Sequence, residues 1–128
     1  MKLPIIDEST IEALDLPGRQ LRWVVTGENT GAKHCTMAVI EVQPGQTVRP
    51  AHSHPNGEEV IYIIQGSGRV MIEGVAEPVK AGCAVLFPKG NIHMLQNSGS
   101  ELMKVACFFA PPTSLDNYKF FEEVEFPA

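Results

Sequence analysis

Basic residues are few in this sequence. Lys and Arg number 10 against 15 Asp and Glu, giving a formal net charge of −5, and no two basic residues are adjacent. A stripe of cations able to neutralise a phosphate backbone is missing, so nucleic acid is not an expected partner. Long apolar runs are missing too. The longest, Val105 to Ala110, falls far short of the ~18 residues of a bilayer-spanning helix, so no membrane partner is expected. At the start of the chain, Pro4, Asp7 and Glu8 break up what would be the apolar core of an export signal. Cysteine is scarce: Cys35, Cys83 and Cys107 form no CxxC pair. An odd number of scattered thiols suits a reducing, cytoplasmic setting. Each of the three reads as a small core residue rather than a reactive thiol.

What is present is the make-up of one ordinary globular domain: 128 residues, 44% apolar and 20% charged. Eleven glycines and ten prolines punctuate the chain. Between them lie short β-rich stretches: 21–26, 36–42, 60–64, 69–72, 75–80, 83–87, 92–96 and 102–110. Strands this short and this evenly spaced predict an all-β sandwich or barrel. Gly66-Ser67-Gly68 reads as a hairpin-like turn. One helical turn is expected at 9–14, with Ser9 as N-cap, Glu12 at the capping-box position and Pro17-Gly18 as its stop. After Pro111-Pro112 the tail carries Tyr118, Phe120, Phe121 and Phe126 among acids. Four aromatics suit an ordered arm packed on the barrel or on a partner subunit.

The chemistry sits with the histidines. His52 and His54 are two apart, so on an extended strand both imidazoles point the same way. Pro55-Asn56-Gly57 is a turn signal, followed by Glu58 and Glu59. A chain folding back there brings a carboxylate to the two imidazoles. Pro88-Lys89-Gly90 is a second turn, with His93 near the start of the next strand. The HxH pair alone leaves two readings open, a loop pair in solvent or part of a metal site. His34 has no partner at ligand spacing and reads as a surface histidine.

The longer pattern narrows this. From Gly45 the chain reads Gly, six residues, His52-x-His54, four residues, Glu59, six residues, Gly66. From Gly82 it reads Gly, five residues, Pro88-x-Gly90, two residues, His93, three residues, Asn97. These blocks resemble the two motifs of the cupin superfamily, the first with one extra residue between Gly45 and His52. The resemblance implies a single-domain cupin β-barrel (double-stranded β-helix, or jelly roll) covering 1–128. Its core would span about 20–110, with the N-terminal segment 1–19 and the C-terminal arm 111–128 packed on it. It also implies metal ligands at His52, His54, Glu59 and His93. Glu59 is taken over Glu58 because the family places its carboxylate six residues before the glycine.

Three imidazoles and one carboxylate make a mixed N/O donor set without thiolate. That suits a divalent Mn, Fe, Co, Ni or Zn ion, with Mn or Fe favoured, and excludes an all-oxygen Ca or Mg cage. Strand parity puts Ile61 and Ile63 inside with Glu59, and Leu95 with His93, with Val85 and Phe87 on the same interior. Arg49 and Lys89 are expected to face out, and no buried arginine or lysine is expected inside. Trp23 reads as core or pocket rim.

This barrel hosts many chemistries. The leading expectation is a metal-dependent dioxygenase acting on a small oxygenated or acidic substrate. A metal-assisted isomerase or decarboxylase, and a non-catalytic binding module for a small ligand, stay open. An exposed sheet edge and the aromatic arm predict a homodimer.

Overall fold

Residues that alternate apolar and polar between glycine and proline turns have one way to bury their apolar face, in paired strands closed over a shared interior. The computed structural model, which describes residues 2–128, has that form. Its strands are β1 (Leu14–Leu16), β2 (Arg19–Val25), β3 (Thr36–Val42), β4 (Ala51–Ser53), β5 (Glu58–Gln65), β6 (Ser67–Ile72), β7 (Val75–Lys80), β8 (Ala84–Phe87), β9 (His93–Gln96), β10 (Met103–Ala110) and β11 (Lys119–Phe121). They form two antiparallel sheets. One has the order β1-β2-β3-β10-β5-β8, the other β11-β4-β9-β6-β7. Among the described residues no helix is long and apolar enough to cross a membrane.

Strand β5 shows how sequence sets this architecture. Glu59, Ile61 and Ile63 are buried, while Val60, Tyr62 and Ile64 are exposed. Ile61 and Ile63 pack with Val105, Cys107 and Phe109 of β10 and with Val42 of β3. Each fully buried isoleucine stabilises the fold by about 2–3 kcal/mol relative to exposure. Slipping β5 by one residue would put Glu59 in solvent and turn the outward residues inward, so the register of the core is also the register of the site.

Three expectations need correction. Gly66 does not close a hairpin, because β5 and β6 lie in different sheets. Gly66 has φ +89°, and a Cβ there would press on the Leu102 carbonyl oxygen at 2.8 Å and Met103 Cα at 2.9 Å, so it turns a corner between the sheets. The helical turn at 9–14 is instead a 3₁₀ turn over Glu8–Thr10, capped by the Asp7 carboxylate, which accepts from the Ser9 N–H. Pro17-Gly18 then joins β1 to β2 as a turn rather than stopping a helix. A helical turn not foreseen, Gly27–Thr30, is held by a reciprocal capping box between Thr26 and Asn29. Finally, Cys35 is exposed, whereas Cys83 is half-buried against the core and Cys107 is buried.

The aromatic arm packs on its own barrel. β11 pairs with β4, setting Phe120 opposite His52. Phe121, Val124 and Phe126 cover a second small core of Ala51, Met71 and Met94. Arg69 lies over the Phe126 ring at 5.1 Å.

Candidate metal centre

The site forms where the two sheets face each other at one end of the barrel. The five-stranded sheet supplies His52 from β4 and His93 from β9, directly opposite each other in register. His54 follows β4. The turn at 54–57, closed by the Gly57 N–H donating to the His54 carbonyl, carries the chain across to the other sheet. There β5 begins and Glu59 points inward between Phe87 of β8 and Phe109 of β10. All four side chains are buried, and one ligand atom from each lies within 4.8 Å of the others.

Hydrogen bonds aim two of the rings. The Nδ1–H of His52 donates to the Pro50 carbonyl at 3.1 Å, and the Nδ1–H of His93 to the Asn91 carbonyl at 3.2 Å. Each ring therefore presents an unprotonated Nε2 to the interior. Phe87 stacks flat on His93 at 3.9 Å. Tyr118, from the arm, stacks on His52 at 5.0 Å and meets the His54 ring edge-on at 4.4 Å.

Glu59 Oε1 accepts from the His54 Nε2–H at 3.0 Å and lies 3.2 Å from His93 Nε2. His93 Nε2 nonetheless has no aligned hydrogen-bond partner among the described residues, and neither has His54 Nδ1. A lone pair facing a carboxylate oxygen in a dry interior is costly unless a positive centre sits between them. Burial alone would push the Glu59 carboxyl up, but the His54 and His93 imidazoles outweigh it and hold Glu59 below the usual carboxylate range. Burial, reinforced by the His93 ring, holds His52 down at about 3, so it is neutral, as a ligand must be. Two donors on bonds of ~2.1 Å at right angles stand ~3.0 Å apart, the spacing seen around Glu59. The four side chains fit one divalent transition ion.

The cavity beside them holds about 40 Å³ and is mostly apolar, with Leu21, Ile40, Val48, Ile61, Phe87 and Leu95 in its wall. Of the interior residues expected from parity, Ile61, Phe87 and Leu95 line it, Ile63 is buried in the core beside it, and Val85 is only half-buried against that core. Arg49 is exposed, 3.8 Å from Glu125, and Lys89 and His34 are exposed. Trp23 is half-buried, 5.7 Å from Phe109.

The expectation of no buried cation is wrong. Arg19 is buried at 7% exposure and lines the same cavity. It starts β2 and shares its buried face with Leu21, with Gln20 exposed between them. Reading Pro17-Gly18 as a helix stop hid the strand start that would have revealed this parity. Tyr118 and Cys107 also line the cavity. Burial pushes the Tyr118 hydroxyl and the Cys107 thiol up, so both stay protonated.

A family model described as the cupin domain matches residues 38–109, more than half of the chain. The chain belongs to the cupin family. Within it, the chain is 27% identical over 111 residues to the polyketide synthase protein CurC of Streptomyces cyaneus, covering 87% of this chain and 71% of CurC. Among solved structures, this cupin superposes on the polyketide cyclase RemF of Streptomyces resistomycificus with a TM-score of 0.76 and 23% identity, covering 99% of this chain and 89% of that one. With the oxalate decarboxylase of Bacillus subtilis the TM-score is 0.81 and the identity 22%, covering 94% of this chain and 33% of that one. At such identities the structural matches establish the double-stranded β-helix fold, and not an activity.

Proposed function

We infer that this cupin is a metal-dependent enzyme acting on a small oxygenated or acidic compound. His52, His54, Glu59 and His93 would hold one divalent ion, with Mn or Fe favoured. The observation that carries this reading is the buried His93 Nε2, without a hydrogen-bond partner among the described residues, 3.2 Å from the Glu59 carboxylate in the wall of a small cavity. A bound metal would supply Lewis acidity and, with Mn or Fe, redox capacity. The chain's own part is to orient the imidazoles through the Pro50 and Asn91 carbonyls, to exclude water with Phe87, Ile61 and Leu95, and to present protonated Tyr118 to the cavity. The leading reaction is an oxygen-consuming, dioxygenase-type conversion. A redox-neutral cyclisation, isomerisation or decarboxylation is the second reading. It is favoured by the Tyr118 hydroxyl and the Arg19 guanidinium beside the site, and by the polyketide cyclase and oxalate decarboxylase among the related folds.

The whole chain, 1–128, would act as one domain in the cytoplasm. A homodimer is supported by the exposed apolar face of Val60, Tyr62, Ile64, Leu86 and Phe108, rather than by the arm, which packs on its own barrel.

The test begins with metal analysis of protein purified without added metal, followed by turnover and O2 uptake with small α-hydroxy acids, α-keto acids and catechols. About one ion per chain and O2 consumed with substrate is the expected result. Turnover without O2 consumption selects the redox-neutral reading, and metal-dependent binding without turnover selects a binding module.

A further inference from the structure

Among the described residues the buried Arg19 has no counter-ion. Its Nη1 donates to the Pro17 carbonyl at 3.1 Å and the Arg49 carbonyl at 2.9 Å. Among the described residues no hydrogen bond engages its Nε or Nη2, and no carboxylate lies within ion-pair reach of it. Two carbonyl dipoles fix the direction of a guanidinium without neutralising it. A cation placed among Leu21, Val48 and other apolar side chains is expensive unless an anion completes it. Glu59, the one acid in the cavity wall, is engaged with two imidazoles.

The approach of Arg19 to the interior is built into the fold. It follows Gly18, whose φ is +80° and where a Cβ would run into the Thr47 carbonyl. The β1–β2 turn thus lies hard against the backbone leading into β4, and the Arg49 N–H donates to the Pro17 carbonyl at 3.2 Å. The same carbonyl accepts from Arg19, so one tight junction sets both the strand approach to His52 and the reach of the guanidinium.

We propose that Arg19 is the specificity-determining anchor of this site, receiving the carboxylate of a small α-hydroxy or α-keto acid on its free guanidinium edge while the acid's other oxygen function faces His52, Glu59 and His93. This rests on the reading of the four side chains as a metal site for small acidic compounds. Charge favours it: a divalent ion, one carboxylate and one guanidinium leave the cavity at about +2 before a ligand enters. Size favours it as well, since 40 Å³ admits about three water positions, the room of a molecule such as glycolate and not of a large ring system. An arginine edge receives a carboxylate through paired N–H donors, and a neutral amide of the same shape cannot match that charge.

The experiment follows Arg19 itself. In zinc-loaded protein labelled with ¹⁵N-arginine, the Arg19 Nε–Hε signal, assigned with Arg19→Lys, is titrated with glycolate and with glycolamide. Metal content is measured on the same samples, and calorimetry gives the two affinities for wild type and for Arg19→Gln. The expected result is a saturable shift of the Arg19 signal with glycolate and none with glycolamide. In Arg19→Gln, glycolate affinity should fall about 10- to 100-fold and glycolamide affinity should stay within about 2-fold, with metal content unchanged. An Arg19 signal that ignores glycolate, or an acid-over-amide preference that survives Arg19→Gln, overturns the proposal whatever the metal content. A glycolate-dependent Arg19 shift in protein that retains no zinc would instead uphold the anion subsite and overturn the metal-site reading. Should Arg19→Gln not fold, the wild-type titration still decides.

Discussion

At one end of the barrel interior Asn97 is fully buried and every polar atom of its side chain is used. Its Nδ2 donates to the Val42 carbonyl at 2.8 Å and the Glu101 carbonyl at 2.9 Å, and its Oδ1 accepts from the Gly99 N–H at 2.9 Å. At the other end His52, His54, Glu59 and His93 are comparably buried, yet His93 Nε2 and His54 Nδ1 are left over. The registers of β10 place these ends apart: Met103 pairs with Val42 beside Asn97, and Phe109 pairs with Glu59. Asn97 and His93 both fall within the residues that the cupin model matches. The difference teaches how to separate scaffold from site. A buried polar side chain with all its partners holds a corner of the chain, and one with spare atoms is shaped for something the chain does not contain.

The comparison breaks first at the metal. Replacing His52 or His93 by alanine removes a ligand and should lower metal affinity about 1,000-fold or more, since outer-sphere partners alone are worth 10- to 100-fold. His34→Ala, on an exposed loop, should leave metal content untouched. Metal analysis after dialysis against a weak chelator measures all three, and equal retention would remove the site assignment.

Asn97→Ala should do the reverse. It strands the buried Val42 carbonyl and releases the Glu101 carbonyl and Gly99 N–H of the partly exposed loop that Asn97 pins, and we expect a loss of about 2–3 kcal/mol in urea unfolding. Metal per folded chain should stay at the wild-type level. Metal lost in proportion to stability would mean the two ends are one cooperative unit, and the contrast drawn here would fail.

Most of the fold and the core of this contrast were readable in the sequence for a definite reason. Period-two alternation reports which residues share a face, so Glu59, Ile61 and Ile63 announce themselves together. The spacing of His52, His54 and His93 around two proline turns does the same for the rings. Arg19 was not readable because its parity depends on where β2 begins, and Pro17-Gly18 serves equally as a helix stop or a strand turn. Tyr118 was not readable because the strand that carries the arm onto the barrel is three residues long and pairs with the equally short β4. Cys35 was misplaced by composition alone. Its neighbours Lys33 and His34 already marked a polar loop.

Acid should sharpen the comparison in metal-free protein. His52 is held down at about 3 in the folded state, and an unfolded histidine titrates near ~6.5. Below that pH the unfolded chain binds a proton the folded chain refuses, so stability is full above ~6.5 and falls as pH drops toward 3. The slope contributed by this one group is at most about 1.4 kcal/mol per pH unit. Glu59, held below the usual carboxylate range, adds a loss of the same sign at lower pH. Urea midpoints of apo protein between pH 7 and 4 should fall more steeply in wild type than in His52→Gln, while Asn97→Ala should shift the curve without changing its slope. Parallel curves for wild type and His52→Gln would show that His52 titrates normally.

The smallest expected effect tests the register on which everything else depends. Glu58 and Glu59 are adjacent, and only Glu59 is buried. In β10, Ala110 stands opposite Glu58 and Phe109 opposite Glu59, so the two carboxylates face opposite sides of the same sheet. An exposed glutamate without an ion pair contributes little, and Glu58→Gln should change stability by no more than about 0.5 kcal/mol with metal content unchanged. Glu59→Gln keeps the volume and removes the charge that offsets the cation, so it should weaken metal binding or alter which ion is retained. An amide at position 59 also brings a donor toward His54 and His93, whose Nε2 atoms are aimed at that point. If Glu58→Gln proved the more damaging, β5 would be slipped by one residue. Ile61 and Ile63 would then have to face solvent, a result that protection of their amides from hydrogen exchange would not by itself exclude but that a polar substitution such as Ile63→Ser would. Ile63→Ser should unfold the protein if the register stands and be nearly silent if it does not.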